Sequence, residues 1–167
     1  GVIQVDEPGL REGLPLRQAQ RHAYLSWATH AFRLAIAPAR EATQIHTHMC
    51  YAEFDDILAA LAELDVDVIS LEAARSNMAA VAVLAESNYR GGVGPGVYDV
   101  HSPRVPTVDE LAGLLSRATE TLGAGRIWAN PDCGLKTRGY GEVVPALRQL
   151  VAAARQVRHN SGVGGNS

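Results

Sequence analysis

Two rhythms of apolar residues alternate along the chain. Residues 2–5 (Val-Ile-Gln-Val) are a short, mostly β-branched run that ends at Asp6-Glu7 and breaks at Pro8-Gly9, which predicts a strand. Residues 17–36 place Ala19, Ala23, Trp27, Ala31, Leu34 and Ala35 at helical spacing and stop before Pro38, which predicts a helix. The exchange then repeats. Strands are expected at residues 44–49, 66–71, 93–100 and 127–129, the third of these rich in glycine. Helices are expected at residues 53–64, with Phe54, Ile57, Leu58 and Leu61 at i, i+3, i+4, i+7, and at 77–87. Two more follow at 108–122, N-capped by Thr107, and at 141–157, with Val144, Leu147, Leu150, Val151 and Ala154 as the apolar stripe. Residues 159–167 are polar and glycine-rich, a tail expected to be mobile.

Five strands alternating with helices through short turns predict an α/β fold, a parallel sheet with crossover helices. Asp6, His48, Cys50, Glu72, His101 and Cys133 all fall at or just past a predicted strand end. Active sites gather there both in a (β/α)8 barrel and in an open doubly wound sheet, so position alone leaves the two architectures open.

The strand at 44–49 carries the densest chemistry. Successive strand residues point to opposite faces, so His48 and Cys50 project together, with His46 one pleat behind. Imidazole and thiolate are both zinc ligands, and such a pair is half of a tetrahedral site. The other cysteine is Cys133, in Asn130-Pro131-Asp132-Cys133-Gly134, and Glu72 stands alone at the end of Val68-Ile69-Ser70-Leu71. If these segments are neighbouring strands, His48, Cys50, Glu72 and Cys133 can meet.

Composition narrows the classes. A chain of 167 residues with 47% hydrophobic and 20% charged content suits one folded domain with a substantial core. The net charge of -3 and scattered basic residues give no general attraction to nucleic acid or to an anionic membrane. No apolar stretch approaches the roughly 20 residues of a membrane span, and no signal-peptide pattern opens the chain, which makes cytoplasm the expected location. In a reducing compartment a metal or catalytic role suits the two cysteines better than a disulfide. A strand-like run beginning immediately after Gly1 points to a fragment of a longer protein.

Several motifs occur together and in order: Ile45-His46-Thr47-His48-Met49-Cys50-Tyr51, Leu71-Glu72-Ala73-Ala74-Arg75-Ser76, Val97-Tyr98-Asp99-Val100-His101-Ser102-Pro103-Arg104 and Asn130-Pro131-Asp132-Cys133-Gly134-Leu135-Lys136-Thr137-Arg138. With Ile3-Gln4-Val5-Asp6-Glu7-Pro8 and Leu10-Arg11-Glu12-Gly13, they resemble the C-terminal part of the catalytic domain of cobalamin-independent methionine synthase. The resemblance covers residues 1–158. It implies about five β/α units, the C-terminal portion of a (β/α)8 TIM barrel, with three strands missing. It further implies Zn²⁺ held by His48, Cys50, Glu72 and Cys133, and methyl transfer from 5-methyltetrahydropteroylpolyglutamate to homocysteine, giving methionine. His101 matches the family's proton donor, with Asp99 to orient it. Asp6 matches the residue that holds the homocysteine amino group, and Glu12 matches a folate contact.

Plainer roles stand beside these: Cys133 as a buried apolar cysteine, His101 as a strand-end histidine bonded to backbone, Asp6 or Glu72 as a helix cap. His46 is ambiguous, and His22, His30 and His159 read as surface residues. The rival functions are a related zinc-dependent thiol alkyltransferase and an inactive truncated zinc-binding fragment. The upstream part of the family's catalytic domain is absent, so full activity is expected to need that part, and the lone chain is expected to complex with it or to self-associate.

Overall fold

The computed structural model describes residues 1–50, 57–87 and 89–162. Its centre is a parallel sheet in the order β1-β2-β3-β4-β5, with β1 at Val2–Gln4, β2 at Gln44–Met49, β3 at Val68–Leu71, β4 at Gly92–Tyr98 and β5 at Asn130–Pro131. The helices are α1 (Gly9–Glu12), α2 (Gln18–Ile36), α3 (Leu58–Glu63), α4 (Ala79–Glu86), α5 (Val108–Leu122) and α6 (Tyr140–Asn160). Strand order follows chain order, as in successive β/α units of a barrel wall. Among the described residues, no helix is long and apolar enough to cross a membrane.

Register sorts the sheet into two unlike faces. Thr47, Ile69 and Val93 are mutual partners, as are Met49, Leu71 and Pro95, and this side packs under the helices. Ile69, fully buried there, would cost about 2–5 kcal/mol on truncation to alanine. The opposite face aligns His46 with Val68 and Gly92, then His48 with Ser70 and Gly94. On this face β4 presents Gly92, Gly94 and Gly96, so side chains of the neighbouring segment can lie across it: a Cβ at Gly94 would run into the Asn130 amide, and one at Gly96 into the Asp132 carboxylate.

Several expected boundaries move, each for a local reason. The expected helix at 77–87 begins only at Ala79, because Asn77 and Met78 adopt φ of 51° and 71°, outside the helical region. The last strand is not 127–129 but Asn130–Pro131; Ile127 makes only an isolated bridge to Val93, and the ladder to β4 shifts register between Gly96 and Tyr98. Pro8-Gly9, expected only to break the first strand, instead starts the short helix α1, since proline lacks only an N–H that a helix start leaves unpaired. α6 runs on through His159 and Asn160, into the expected tail, whose residues 163–167 lie outside the described set, as do residues 53–56 of the expected second helix.

The helix stripes are a larger correction. In α2 the buried residues are Ala28, Thr29 and Phe32, with Leu25 and Ile36 packed against the core, whereas Trp27 and Leu34 of the expected stripe are 65% and 61% exposed. In α6 the expected Leu150 is buried and Leu147 and Ala154 pack against the core, joined by Ala146, Ala153 and Val157, while Val144 and Val151 of the expected stripe are exposed. Both helices are apolar on two faces, and this structure covers one. Val2 and Ile3 of β1, at one edge of the sheet, are exposed as well.

Two outcomes follow. Glu110 closes a capping box on α5: its backbone N–H donates to Thr107 Oγ1 at 3.3 Å and its carboxylate accepts the Thr107 N–H at 2.8 Å. Hydrogen bonds from the Arg104 guanidinium first, and then from Thr107, hold its pKa down to about 2. Because the folded value lies below the ordinary 4.5, the stabilisation is complete above 4.5 and is lost as the pH falls toward 2. Glu110→Gln should lower the thermal midpoint near neutral pH, with a deficit that shrinks in acid; a deficit independent of pH would count against the charge. Separately, exposed apolar faces and a free strand edge drive association. Sedimentation of the lone chain at micromolar concentration should therefore show species heavier than a compact monomer.

Candidate metal centre

β2 delivers two donors to one place. His48 lies on the polar face of the strand and Cys50 follows its last residue. The third donor, Cys133, comes from the far edge, where Asp132 N–H donates to Tyr98 O at 2.9 Å and anchors the segment to the end of β4. Gly134 then takes φ of 102°, a left-handed conformation that turns the chain away directly after the thiol. Cys50 Sγ and Cys133 Sγ stand 3.4 Å apart, both as free thiols. One donor atom from each of His48, Cys50 and Cys133 lies within 4.8 Å of the others.

Hydrogen bonding decides which imidazole nitrogen faces this group. Ser70 Oγ has a single proton and donates it to Thr47 O at 3.0 Å. At 3.1 Å from His48 Nδ1 the hydroxyl must therefore accept, which places the ring proton on Nδ1. Nε2 keeps its lone pair, and it is buried with no hydrogen-bond partner. An orphaned imidazole lone pair beside two thiols is the donor set of a metal ion that accepts nitrogen and sulfur.

The electrostatics agree. Burial lowers the His48 pKa against the opposing pull of Asp6 and Glu72, so the ring stays neutral, its ligand form. The Cys50 thiol is pushed up to about 12, by burial first, then by its hydrogen bond with Cys133 and by the charges of Glu72 and Glu12. The half-buried Cys50 thiol near these acids resists ionisation, and a cation beside it would reverse that balance.

Glu72, one residue past β3, is outside the group of three, although its charge reaches both His48 and Cys50. Asp6 lines the cavity of about 320 Å³ that also contains His46, His48, Asp132 and Cys133, and it accepts a 2.8 Å hydrogen bond from Gln4. Glu12 ends α1. His101 is exposed on the loop after β4, and Asp99 Oδ1 holds both its backbone N–H at 2.9 Å and its ring Nδ1 at 3.2 Å. His46 sits deeper, bonded to Gln44 at 3.1 Å and edge-on to Trp128.

Sequence reasoning missed Ser70 and Asp132. Asp132 is a 3% exposed carboxylate whose pKa is raised to about 6, chiefly by burial, while the Ala73 and Ala74 N–H groups bonded to it oppose the rise. Its position beside Cys133, in a polar run where apolar residues would normally continue a strand, was the available signal.

Fold and site together define a β/α barrel segment with two thiols and an imidazole gathered at its strand ends. The chain belongs to the family described as the cobalamin-independent synthase catalytic domain, which it matches over residues 1–156. It is 64% identical over 157 residues to a 5-methyltetrahydropteroyltriglutamate–homocysteine methyltransferase of Streptomyces avermitilis, covering 94% of this chain and 20% of that protein. A protein of the same description from Acidithiobacillus ferrooxidans is 54% identical over 162 residues, covering 97% and 21%. The chain thus spans about one fifth of the length of these curated relatives. In fold it is similar to a B12-independent methionine synthase from Shewanella, solved in complex with selenomethionine, at TM-score 0.76 and 21% identity, covering 95% of this chain and 49% of that one.

The three-donor group predicts that the chain retains about one thiophilic divalent metal ion. Cys50→Ser and Cys133→Ser should each abolish retention in metal analysis, while His46→Ala, one pleat away, should keep it. A metal-free sample left in air should lose both free thiols to a Cys50–Cys133 disulfide, read as a mass decrease of two hydrogens.

Proposed function

We propose that this chain carries the zinc centre of a methyltransferase that moves the methyl group of 5-methyltetrahydropteroyltriglutamate to the thiol of homocysteine, yielding methionine. The observation that supports it most directly is the convergence of His48, Cys50 and Cys133 at the strand ends of a chain belonging to this family. Glu72 is the fourth ligand, supplied from the end of β3. Zn²⁺ held by these residues would favour the thiolate of an entering substrate thiol near neutral pH.

The sulfur attacks the methyl carbon as the bond from that carbon to N5 breaks, and the departing nitrogen must take up a proton. His101 supplies that proton, and Asp99 holds the imidazole through Nδ1, leaving Nε2 as the donor. Asp6, in the wall of the cavity, faces the substrate ammonium with its carboxylate. Glu12 meets the folate. The remaining part of the enzyme supplies the rest of both substrate sites and covers the exposed faces of β1, α2 and α6.

His101→Asn in the full-length enzyme should leave zinc content unchanged while turnover falls roughly 10²–10⁴-fold, the usual contribution of a general acid. Zinc loss in that variant would show that His101 had been given the wrong role.

A further inference from the structure

We infer that Asp132 is a positioning residue that ties the Glu72 strand end to the Cys133 strand end, an inference that rests on the metal-centre reading above. Asp132 immediately precedes Cys133, and its Oδ1 accepts the backbone N–H of Ala73 at 3.1 Å and of Ala74 at 3.4 Å. Those two residues immediately follow Glu72. β3 and β5 are not neighbours, since β4 runs between them. The carboxylate can cross only because β4 has no side chain at that level: a Cβ on Gly96 would lie 2.9 Å from Asp132 Cα and would strike the carboxylate.

The segment held in this way is a unit in itself. Met78 N–H donates to Ala73 O at 3.1 Å and Asn77 N–H to Ala74 O at 3.3 Å, so residues 73–78 close on themselves. The turn passes through the left-handed Asn77 and Met78, and Arg117 on α5 bonds Asn77 Oδ1 at 2.6 Å. A closed turn moves as one piece, and at its sheet end Asp132 sets where that piece, with Glu72 at its start, sits. Asp132 acts here through its backbone partners: its Oδ1 is occupied by the two N–H donors of Ala73 and Ala74.

The test is Zn²⁺ affinity of the full chain by chelator competition, with Co²⁺ spectra reporting the ligand field. Asp132→Ala should weaken binding 10–100-fold, the usual effect of losing a partner behind a metal ligand. Asp132→Asn keeps the accepting oxygen and should stay close to wild type. Gly96→Ala leaves the carboxylate in place chemically but displaces it, and should match Asp132→Ala; these two variants carry the test if Asp132→Ala does not fold. In a Glu72→Ala background, Asp132→Ala should cost nothing further, because it acts through Glu72. Additive losses, equal losses in the Asn and Ala variants, or unchanged affinity in Asp132→Ala would each overturn the inference while leaving the metal centre standing. A wild-type chain that takes up no metal would defeat the metal-centre reading itself.

Discussion

Parallel pairing forces every strand of this sheet to end on the same edge, and the chemistry depends on that constraint. Donors distant in sequence, at His48, Cys50 and Cys133, become neighbours because β2 and β5 terminate on one rim. The two faces of the sheet then divide the labour. Ile69, Leu71 and Val93 face the helices and supply apolar burial, while His46, His48, Ser70 and Asn130 occupy the other face, where β4 contributes only glycines. That glycine row weakens β4 as a strand, since glycine loses the most backbone entropy on folding. The cost is offset by what crosses the gap: Asn130 reaches Gly94 O at 3.4 Å, and Asp132 reaches Ala73 and Ala74 beyond β4.

The centre is assembled from groups that are individually unfavourable where they stand. A thiol pushed to about 12, an imidazole with a buried lone pair and no partner, and a buried carboxylate raised to about 6 each carry a desolvation cost. The charges of Glu72 and Glu12 make ionisation of the Cys50 thiol harder still. A divalent cation at the point shared by His48, Cys50 and Cys133 would relieve the thiol and imidazole costs together. Metal binding at this point would therefore be coupled to folding of the rim, because the fold has already gathered the donors.

Local pattern made part of this legible from the sequence. β2 runs over the expected residues 44–49, and α5 over 108–122 with its Thr107 cap, because alternation and capping chemistry are encoded within a few residues. The spacing of His48 and Cys50 was readable for the same reason. Meeting Cys133 was not derivable from local pattern, since it depends on strand order, and the family motifs supplied that. Ser70 and Asp132 escaped notice because their roles arise from hydrogen bonds across non-adjacent segments, Ser70 to Thr47 O and Asp132 to Ala73 N–H.

The stripe of α2 was misread, and that of α6 in part, for a more instructive reason. A helix with one apolar face reports its orientation, but Trp27 and Leu34 on one side of α2 compete with Leu25, Ala28 and Phe32 on the other, and hydrophobicity alone cannot rank the two. The fold ranks them: α2 packs on α1 and α3 with Ala28 and Phe32 buried, and Trp27 and Leu34 are left outside. α6 divides its expected stripe, with Val144 and Val151 outside and Leu147, Leu150 and Ala154 against the core. Apolar residues on the outer side as well as the inner one differ from a solvent-facing helix, whose outer face is polar. α2 and α6 thus each carry exposed apolar residues, Trp27 and Leu34 on one and Val144 and Val151 on the other, beside a face already packed in the core.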